Sequence, residues 1–282
     1  MFDKTLRMLG AVVAVILFCT ASDAAGAGRH ELALSVNRVP VRYISNVVYA
    51  QKPMRGYANV ALRMDILQPE SREPLPAVVF VTGGGLVSAN KDSFLQQCLD
   101  LAEAGYVVAS IEYRVAPAVV FPSPLEDVKS AIRFLRAKAD IYGINPDKIA
   151  VFGESAGGYL AAITGTTNGR KEFDVGGYLE QSSRVVAVVD FYGLSDLTLI
   201  GEGFPDDVVR RHESPASTEA LWVNGSTPFY RGGAISDHPE KAAAASPITY
   251  IDAAAPPFLI MHGDRDILVY PRQSERLHAA LR

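Results

Sequence analysis

The sequence predicts an α/β fold with a mostly parallel central sheet. Short apolar runs alternate with segments of helical periodicity along the chain. Two of the runs, residues 77–81 and 185–189, are apolar at every position, as strands are when helices cover both faces of a sheet. With 49% hydrophobic and 21% charged residues, the composition excludes disordered, collagen-like and coiled-coil chains. The net charge of −4 gives no basic footprint for nucleic acid or for an anionic membrane.

The first 27 residues are predicted to be a signal peptide. Lys4 and Arg7 precede an apolar run over residues 9–20, which is shorter than the roughly 20 residues that a membrane span requires. Small residues frame two candidate cleavage sites, Ser22-Asp23-Ala24 and Ala25-Gly26-Ala27, and an uncleaved anchor is the alternative. We therefore expect an exported protein, periplasmic or secreted, with its folded domain in residues 28–282 and no other contact with a membrane.

The strands are predicted from apolar, β-branched runs that are bounded by turn residues. They cover residues 41–48, 60–67, 77–81, 106–112, 148–152, 185–191 and 257–262.

Four helices fit between these strands. Leu95, Cys98 and Ala102 recur at helical spacing, and Ser123 with Glu126 has the spacing of a capping box that opens a second helix. A third helix is expected just after Ser155, and a fourth over residues 273–281. The alternation breaks down over about residues 195–239, which we interpret as a cap-like insertion above the carboxyl edge of the sheet. Its aromatic residues either line a substrate pocket or form a small core of the insertion: Phe204, Trp222, Phe229 and Tyr230.

The candidate nucleophile is Ser155. The segment Gly153–Gly157 reads G-x-S-x-G between an apolar strand and a predicted helix, the context in which this motif forms a sharp turn that exposes the serine hydroxyl. Strand and helix pass so closely there that side chains at Gly153 and Gly157 would collide. The N–H of Ala156 is placed to stabilise an oxyanion. An idle serine in a tight turn is the alternative.

A second oxyanion donor is expected from residues 82–85, Thr-Gly-Gly-Gly, which follow another central strand. Bare glycine backbone lets the N–H groups of Gly84 and Gly85 approach a substrate closely. The segment lacks the Lys-Ser/Thr ending of a P-loop and the spacing of a dinucleotide-binding loop, so we do not expect it to bind phosphate.

Together these motifs resemble the α/β-hydrolase carboxylesterases of the hormone-sensitive-lipase-like and feruloyl/acetyl-xylan-esterase-like branch. The resemblance rests on Thr-Gly-Gly-Gly (82–85), Glu-Tyr-Arg-Val-Ala-Pro (112–117), Phe-Pro-Ser-Pro-Leu-Glu-Asp (121–127), Gly-Glu-Ser-Ala-Gly-Gly (153–158), Ser-Pro-Ile-Thr-Tyr (246–250) and His-Gly-Asp-Arg-Asp (262–266). Thr82 departs from the histidine usual in the family, but the oxyanion donors are backbone groups. The resemblance implies an α/β-hydrolase fold and a Ser–acid–His triad in that chain order.

By this resemblance the triad acid corresponds to Asp266, while Asp264 is expected to cap the turn and Asp190 is the weaker alternative. The family places its histidine about 30 residues beyond the acid, whereas Arg282 lies only 16 residues beyond Asp266. His278 follows the acid but lies on a predicted helix. We therefore expect that the chain as given lacks its last strand, its last helix and the catalytic histidine.

The function implied by the resemblance is hydrolysis of a carboxylic ester through an acyl-serine intermediate. The expected substrate is a small-molecule or polysaccharide-linked ester, such as an acetyl or feruloyl ester. No cofactor fingerprint and no metal-ligand spacing is present in the sequence. A serine peptidase of the same fold and a catalytically inactive hydrolase-like binding protein are the alternatives. The insertion is too short for the large gating domain that would favour a peptidase.

Overall fold

A single seven-stranded sheet organises the protein in the computed structural model, which describes residues 38–227 and 229–282. The predicted signal peptide lies outside these residues. The strands of the sheet are β1 Val41–Met54, β2 Tyr57–Pro69, β3 Leu75–Val81, β4 Val107–Ile111, β5 Ile144–Glu154, β6 Val188–Phe191 and β9 Phe258–Met261, while β7 Ser226–Thr227 and β8 Tyr230–Arg231 form a separate hairpin. All seven predicted strands are confirmed, with shifted ends.

The strands lie in the order β1-β2-β4-β3-β5-β6-β9. β2 pairs antiparallel with β1 and with β4, and every other pair in the sheet is parallel. The mostly parallel sheet predicted from the sequence is therefore confirmed. The carboxyl ends of β3, β5, β6 and β9 meet at one edge, and the residues that follow them form the candidate site.

Eight helices are seen among the described residues. They are α1 Leu95–Glu103, α2 Ser123–Ala137, α3 Ala139–Tyr142, α4 Ala156–Thr166, α5 Asp206–His212, α6 Thr218–Asn224, α7 Pro239–Ala244 and α8 Arg272–Ala280, with 3-10 turns at Lys171–Phe173, Leu197–Leu199, Ile235–Asp237 and Pro247–Tyr250. The four predicted helices are confirmed as α1, α2, α4 and α8. The predicted capping box at Ser123 is wrong, because Pro122 takes the capping position and has no side-chain acceptor. No helix in this part of the chain is long and apolar enough to cross a bilayer.

Apolar side chains cover both faces of the central strands. Val79 and Val151 belong to the main core with α2 and α4, whereas Phe80 and Phe152 face a smaller cluster that includes Cys98 of α1. This two-sided burial explains why residues 77–81 are apolar at every position.

The aromatic residues between β6 and β9 do not form one unit. Trp222 is fully buried, and its Nε1–H donates to the hydroxyl of Tyr159 in α4 at 3.2 Å. Phe204 stacks on His212 with ring centroids 5.5 Å apart, and Phe229 is fully exposed. Trp222 is therefore part of the main core and not a pocket residue.

Strand β9 is an edge of the described sheet and pairs there with β6 alone. Leu259 and Met261 on this strand are 54% and 52% exposed. A groove of about 760 Å³ runs between β9 and α8, with Phe258, Leu259 and Leu281 in its walls. An apolar strand with an open edge is a surface on which a further strand can pair.

Candidate active site

Ser155 lies in the tight connection between β5 and α4. Its backbone is in the positive-φ region, with φ 54° and ψ −122°, which is strained for a residue other than glycine. The Ser155 N–H donates to the carbonyl oxygen of Phe191 at 2.8 Å, which ties the turn to the end of β6. The strand–turn–helix context predicted for G-x-S-x-G is therefore present.

The flanking glycines are required by the close approach of strand and helix. A Cβ atom on Gly153 would lie 2.0 Å from the carbonyl oxygen of Gly157, and one on Gly157 would lie 1.9 Å from the carbonyl oxygen of Val81. Both distances are far below van der Waals contact, so the predicted collision is confirmed. Gly157 lets helix α4 begin directly against the end of β3.

Ser155 opens into a cavity of about 540 Å³. One part of its wall is apolar and consists of Ala156, Leu86, Leu194, Leu268 and Val269, next to Gly85. The other part comes from α5, α6 and their connection and is mostly polar: Arg211, His212, Ser214, Ala216, Ser217, Thr218 and Glu219. The cavity therefore joins an apolar floor beside the serine to a polar wall from the predicted insertion.

In the glycine segment after β3, one N–H group donates a hydrogen bond, and two have no acceptor in the described part of the chain. The Gly83 N–H donates to Oε1 of Glu154 at 2.7 Å. Within residues 38–227 and 229–282, the N–H groups of Gly84 and Gly85 have no hydrogen-bond acceptor. A Cβ atom on Gly84, whose φ is 147°, would lie 2.3 Å from the carbonyl oxygen of Ser88, so this turn needs glycine.

Ala156 supplies the third N–H of the predicted oxyanion hole. It is the first residue of α4, where an N–H has no partner inside the helix and the helix dipole favours negative charge. Ala156 and Gly85 line the same cavity as Ser155. The structure therefore brings the candidate nucleophile and two candidate donors to one cavity, with Gly84 adjoining Gly85.

Asp266 lies in the turn between β9 and α8. Its Oδ1 accepts the N–H groups of Leu268 at 2.7 Å and Val269 at 3.0 Å, and these two residues line the Ser155 cavity. Asp266 therefore caps this turn, whereas Asp264, which we expected to do so, is exposed. The other oxygen, Oδ2, lies 3.3 Å from Nε2 of His262.

His262 is engaged on both sides of its ring. Nδ1 lies 2.7 Å from the hydroxyl of Ser274, and Nε2 lies 2.8 Å from the carbonyl oxygen of Val269. The carbonyl oxygen of Val269 can only accept, so Nε2–H is the donor in that contact, while Nδ1 is held by the Ser274 hydroxyl. His262 therefore fixes the acid turn to α8 and has no nitrogen left for Ser155.

The other histidines differ in their relation to the cavity. His278 is exposed and lines the groove beside β9. His212 lines the Ser155 cavity, with its Nδ1 3.2 Å from Oε1 of Glu219. His212 falls within residues 195–239, the predicted insertion, and no sequence motif indicates that it reaches the cavity. His212 and Glu219 are seven positions apart and lie in two different helices, α5 and α6. Helical periodicity therefore does not indicate their contact.

Asp190, the alternative acid, lies in a different environment. Its side chain is fully buried, with Oδ1 accepting the Gly193 N–H at 2.9 Å and Oδ2 without a partner among the described residues. Burial raises the pKa of Asp190 to about 7. Asp190 is not among the residues that line the Ser155 cavity.

Glu154 is a polar residue of the site that sequence reasoning missed. Its two carboxylate oxygens bind Gly83 and the hydroxyl of Tyr192, the latter at 3.0 Å. The sequence signal for this residue is a glutamate at the end of an apolar strand. The structure shows that Glu154 is buried there, which is rare for a glutamate without partners. In the part of the chain that the structure describes, no group of three His, Cys, Asp or Glu side chains could hold a metal ion.

Comparison with known proteins finds similarity over most of the chain. A protein-family model described as BD-FAE matches residues 64–281. Esterase LipC of Mycobacterium tuberculosis is 34% identical over 215 residues, which are 74% of this chain and 50% of that protein. The chain spans about half the length of the curated relatives it matches.

Solved structures with the same fold include a truncated form of a carbohydrate esterase from gut microbiota. It matches with a TM-score of 0.72 and 28% identity, over 87% of this chain and 85% of that one. An acetyl ester-xyloside bifunctional hydrolase from Caldicellulosiruptor lactoaceticus matches with a TM-score of 0.61 and 26% identity, over 79% of this chain and 73% of that one.

Proposed function

The chain belongs to the BD-FAE family of α/β-hydrolase esterases, and on that premise we propose that it hydrolyses carboxylic esters with Ser155 as the nucleophile. The observation that carries the proposal is the strained turn at Ser155, which opens into the same cavity as the free N–H groups of Gly85 and Ala156. A reactive hydroxyl beside unpaired amide donors is what acyl transfer requires.

In this mechanism the Ser155 hydroxyl attacks the ester carbonyl carbon, and a base takes up its proton. The carbonyl oxygen becomes an oxyanion that accepts hydrogen bonds from Ala156 and from Gly84 or Gly85. Collapse of the tetrahedral intermediate breaks the bond to the alcohol, which leaves with a proton, and forms an acyl-serine. Water then attacks the acyl-serine by the same route and releases the acid.

Asp266 is proposed as the acid that orients the base. Its Oδ1 is held by two backbone N–H groups, so the carboxylate is fixed in a turn whose tip lines the cavity. His262 is already bound to Ser274 and Val269. We therefore propose that the base is a histidine carried by a segment beyond Arg282, which pairs with the open edge of β9. The exposed Leu259 and Met261 support this placement.

The proposed substrate is a polysaccharide-linked or small-molecule ester with a short acyl group. The apolar floor near Ser155 suits the acyl group, and the polar wall of α5 and α6 suits a hydroxyl-bearing alcohol. The structural neighbours described as a carbohydrate esterase and as an acetyl ester-xyloside bifunctional hydrolase support this choice. We further propose that residues 195–239 act as a cap over the site. Residues 1–27 are proposed as a signal peptide that directs the enzyme out of the cytoplasm.

The experiment compares the 282-residue chain with the chain extended by its natural downstream residues, each assayed on an aryl acetate and on a dipeptide amide. We expect the extended chain to cleave the ester, not the amide, and the short chain to be nearly inactive per folded molecule. Amide cleavage would favour the peptidase alternative, and no cleavage by either chain would favour the inactive binding protein. Equal ester cleavage by both chains would place the base within the 282 residues.

A further inference from the structure

We propose that Glu154 is a positioning residue that holds the oxyanion segment in register with Ser155. The inference rests on the proposed ester hydrolysis, since the oxyanion hole matters only if an acyl group is transferred. Glu154 immediately precedes Ser155, and its carboxylate accepts a hydrogen bond from the segment that follows β3. One carboxylate therefore connects the serine turn to the loop that supplies the other oxyanion donors.

Gly83 lies close to both the carboxylate and the main-chain oxygen of Glu154. Oε1 accepts the Gly83 N–H at 2.7 Å, a length typical of a charge-assisted hydrogen bond. A Cβ atom on Gly83 would lie 2.6 Å from Oε1 and 2.9 Å from the main-chain oxygen of Glu154. The glycine thus lets the segment pack directly on the glutamate, with the two residues 71 positions apart in sequence.

The second oxygen of Glu154 is held by another loop of the site. The Tyr192 hydroxyl donates to Oε2 at 3.0 Å, and the Tyr192 N–H donates to the carbonyl oxygen of Met261 at 2.8 Å. Burial and the neighbouring Glu154 carboxylate raise the pKa of Tyr192 to about 12, so the hydroxyl stays protonated and donates at neutral pH. Glu154 is thereby fixed from the side of β6 and β9 while it holds the segment after β3.

This arrangement has a consequence for the oxyanion hole. Because the Gly83 N–H is bound to Glu154, the donors left in the segment are Gly84 and Gly85. Their positions depend on where Gly83 is held, since the chain continues directly from it and successive Cα atoms are only about 3.8 Å apart. Removing a whole oxyanion donor costs about 100- to 1000-fold in kcat in other hydrolases. A donor that is displaced but not removed should cost less, about tenfold.

The test compares Glu154→Gln with Glu154→Asp, because the two variants separate the effect of side-chain length at position 154 from the effect of its negative charge. Glutamine keeps the length of the side chain and an oxygen that accepts from Gly83, while aspartate keeps the charge but is one methylene too short. Amide hydrogen exchange at Gly83 is measured by NMR without substrate, with Val79 in β3 as an internal reference. kcat and KM are measured with an aryl acetate on the chain extended beyond Arg282. Tyr192→Phe is the control that leaves the Gly83 hydrogen bond in place.

We expect Glu154→Asp to speed exchange at Gly83 at least about tenfold and to lower kcat about tenfold with KM unchanged. Glu154→Gln should stay within a few-fold of the wild type in both, and Tyr192→Phe should leave exchange at Gly83 slow. Wild-type behaviour of Glu154→Asp, a loss confined to KM, or a larger loss in Glu154→Gln would overturn the proposal. Exchange at Gly83 decides the role of Glu154 even if the extended wild-type chain hydrolyses no ester, a result that would count against the proposed function alone.

Discussion

In the chain extended beyond Arg282, replacing Asp266 by asparagine should abolish most of the ester hydrolysis while leaving the fold intact. Oδ1 of Asp266 accepts N–H groups at 2.7 and 3.0 Å, so the amide oxygen of asparagine is expected to settle in that position. The amide nitrogen then replaces Oδ2, the oxygen that lies 3.3 Å from Nε2 of His262 and that we propose to orient the imidazole of the base. A donor in that place favours the wrong tautomer of the base, which costs about 10⁴-fold in kcat in serine hydrolases.

The expected loss of activity is much larger than the expected loss of stability. A 10⁴-fold fall in kcat corresponds to about 5.5 kcal/mol of activation free energy. Weakening two hydrogen bonds to a charged acceptor should cost about 1–2 kcal/mol in the free energy of unfolding. Unfolding therefore cannot account for the effect, and urea denaturation of the variant verifies this.

Asp264→Asn is the matched control for this prediction. Asp264 lies in the same turn, is exposed, and makes no hydrogen bond among the described residues. We expect its kcat/KM on an aryl acetate to remain within about twofold of the wild type, as for most surface substitutions. Equal losses in the two variants, or a larger loss at Asp264, would refute the assignment of the acid.

Three further predictions concern the turn, the buried acid and the cavity wall. Gly157→Ala should destabilise the protein by about 3 kcal/mol or more, because the new Cβ meets a main-chain oxygen at 1.9 Å, whereas Gly177→Ala, with nothing within 4 Å, should be neutral in urea denaturation. Asp190 has a folded-state pKa raised to about 7, so the folded state binds a proton that the unfolded state releases near pH 4. Wild-type stability should thus fall relative to Asp190→Asn as pH rises from about 4 to 7, and a constant difference across that range would contradict the assignment. His212→Gln should change KM with less than about a tenfold effect on kcat, and a loss near 10⁴-fold would identify His212 as the base.

The sequence predicted the fold well where local pattern and tertiary environment agree. Residues 77–81 are apolar at every position because helices cover both faces of β3, and the glycines around Ser155 are needed by the turn itself. The ends of strands were predicted less well. The run from Val185 is apolar throughout, but the strand begins at Val188, where pairing with Val151 begins.

Parts of the site depend on contacts that no local pattern indicates. Glu154 meets Gly83 from 71 positions away, and the seven-residue spacing of His212 and Glu219 crosses from α5 to α6. Asp264 and Asp266 look alike in sequence, and the structure separates them by the two N–H groups that bind Asp266. Long-range pairing of loops therefore sets the site, while the strands and the serine turn are set locally.

The central claim, that Ser155 is the nucleophile, is tested most directly by reaction with a fluorophosphonate and mapping of the modified peptide by mass spectrometry. The reaction is run on the 282-residue chain and on the chain extended by its downstream residues, each with its Ser155→Ala variant. We predict a single adduct on Ser155, formed faster in the extended chain and absent from both variants. An adduct on another residue, or labelling that survives Ser155→Ala, would contradict the claim.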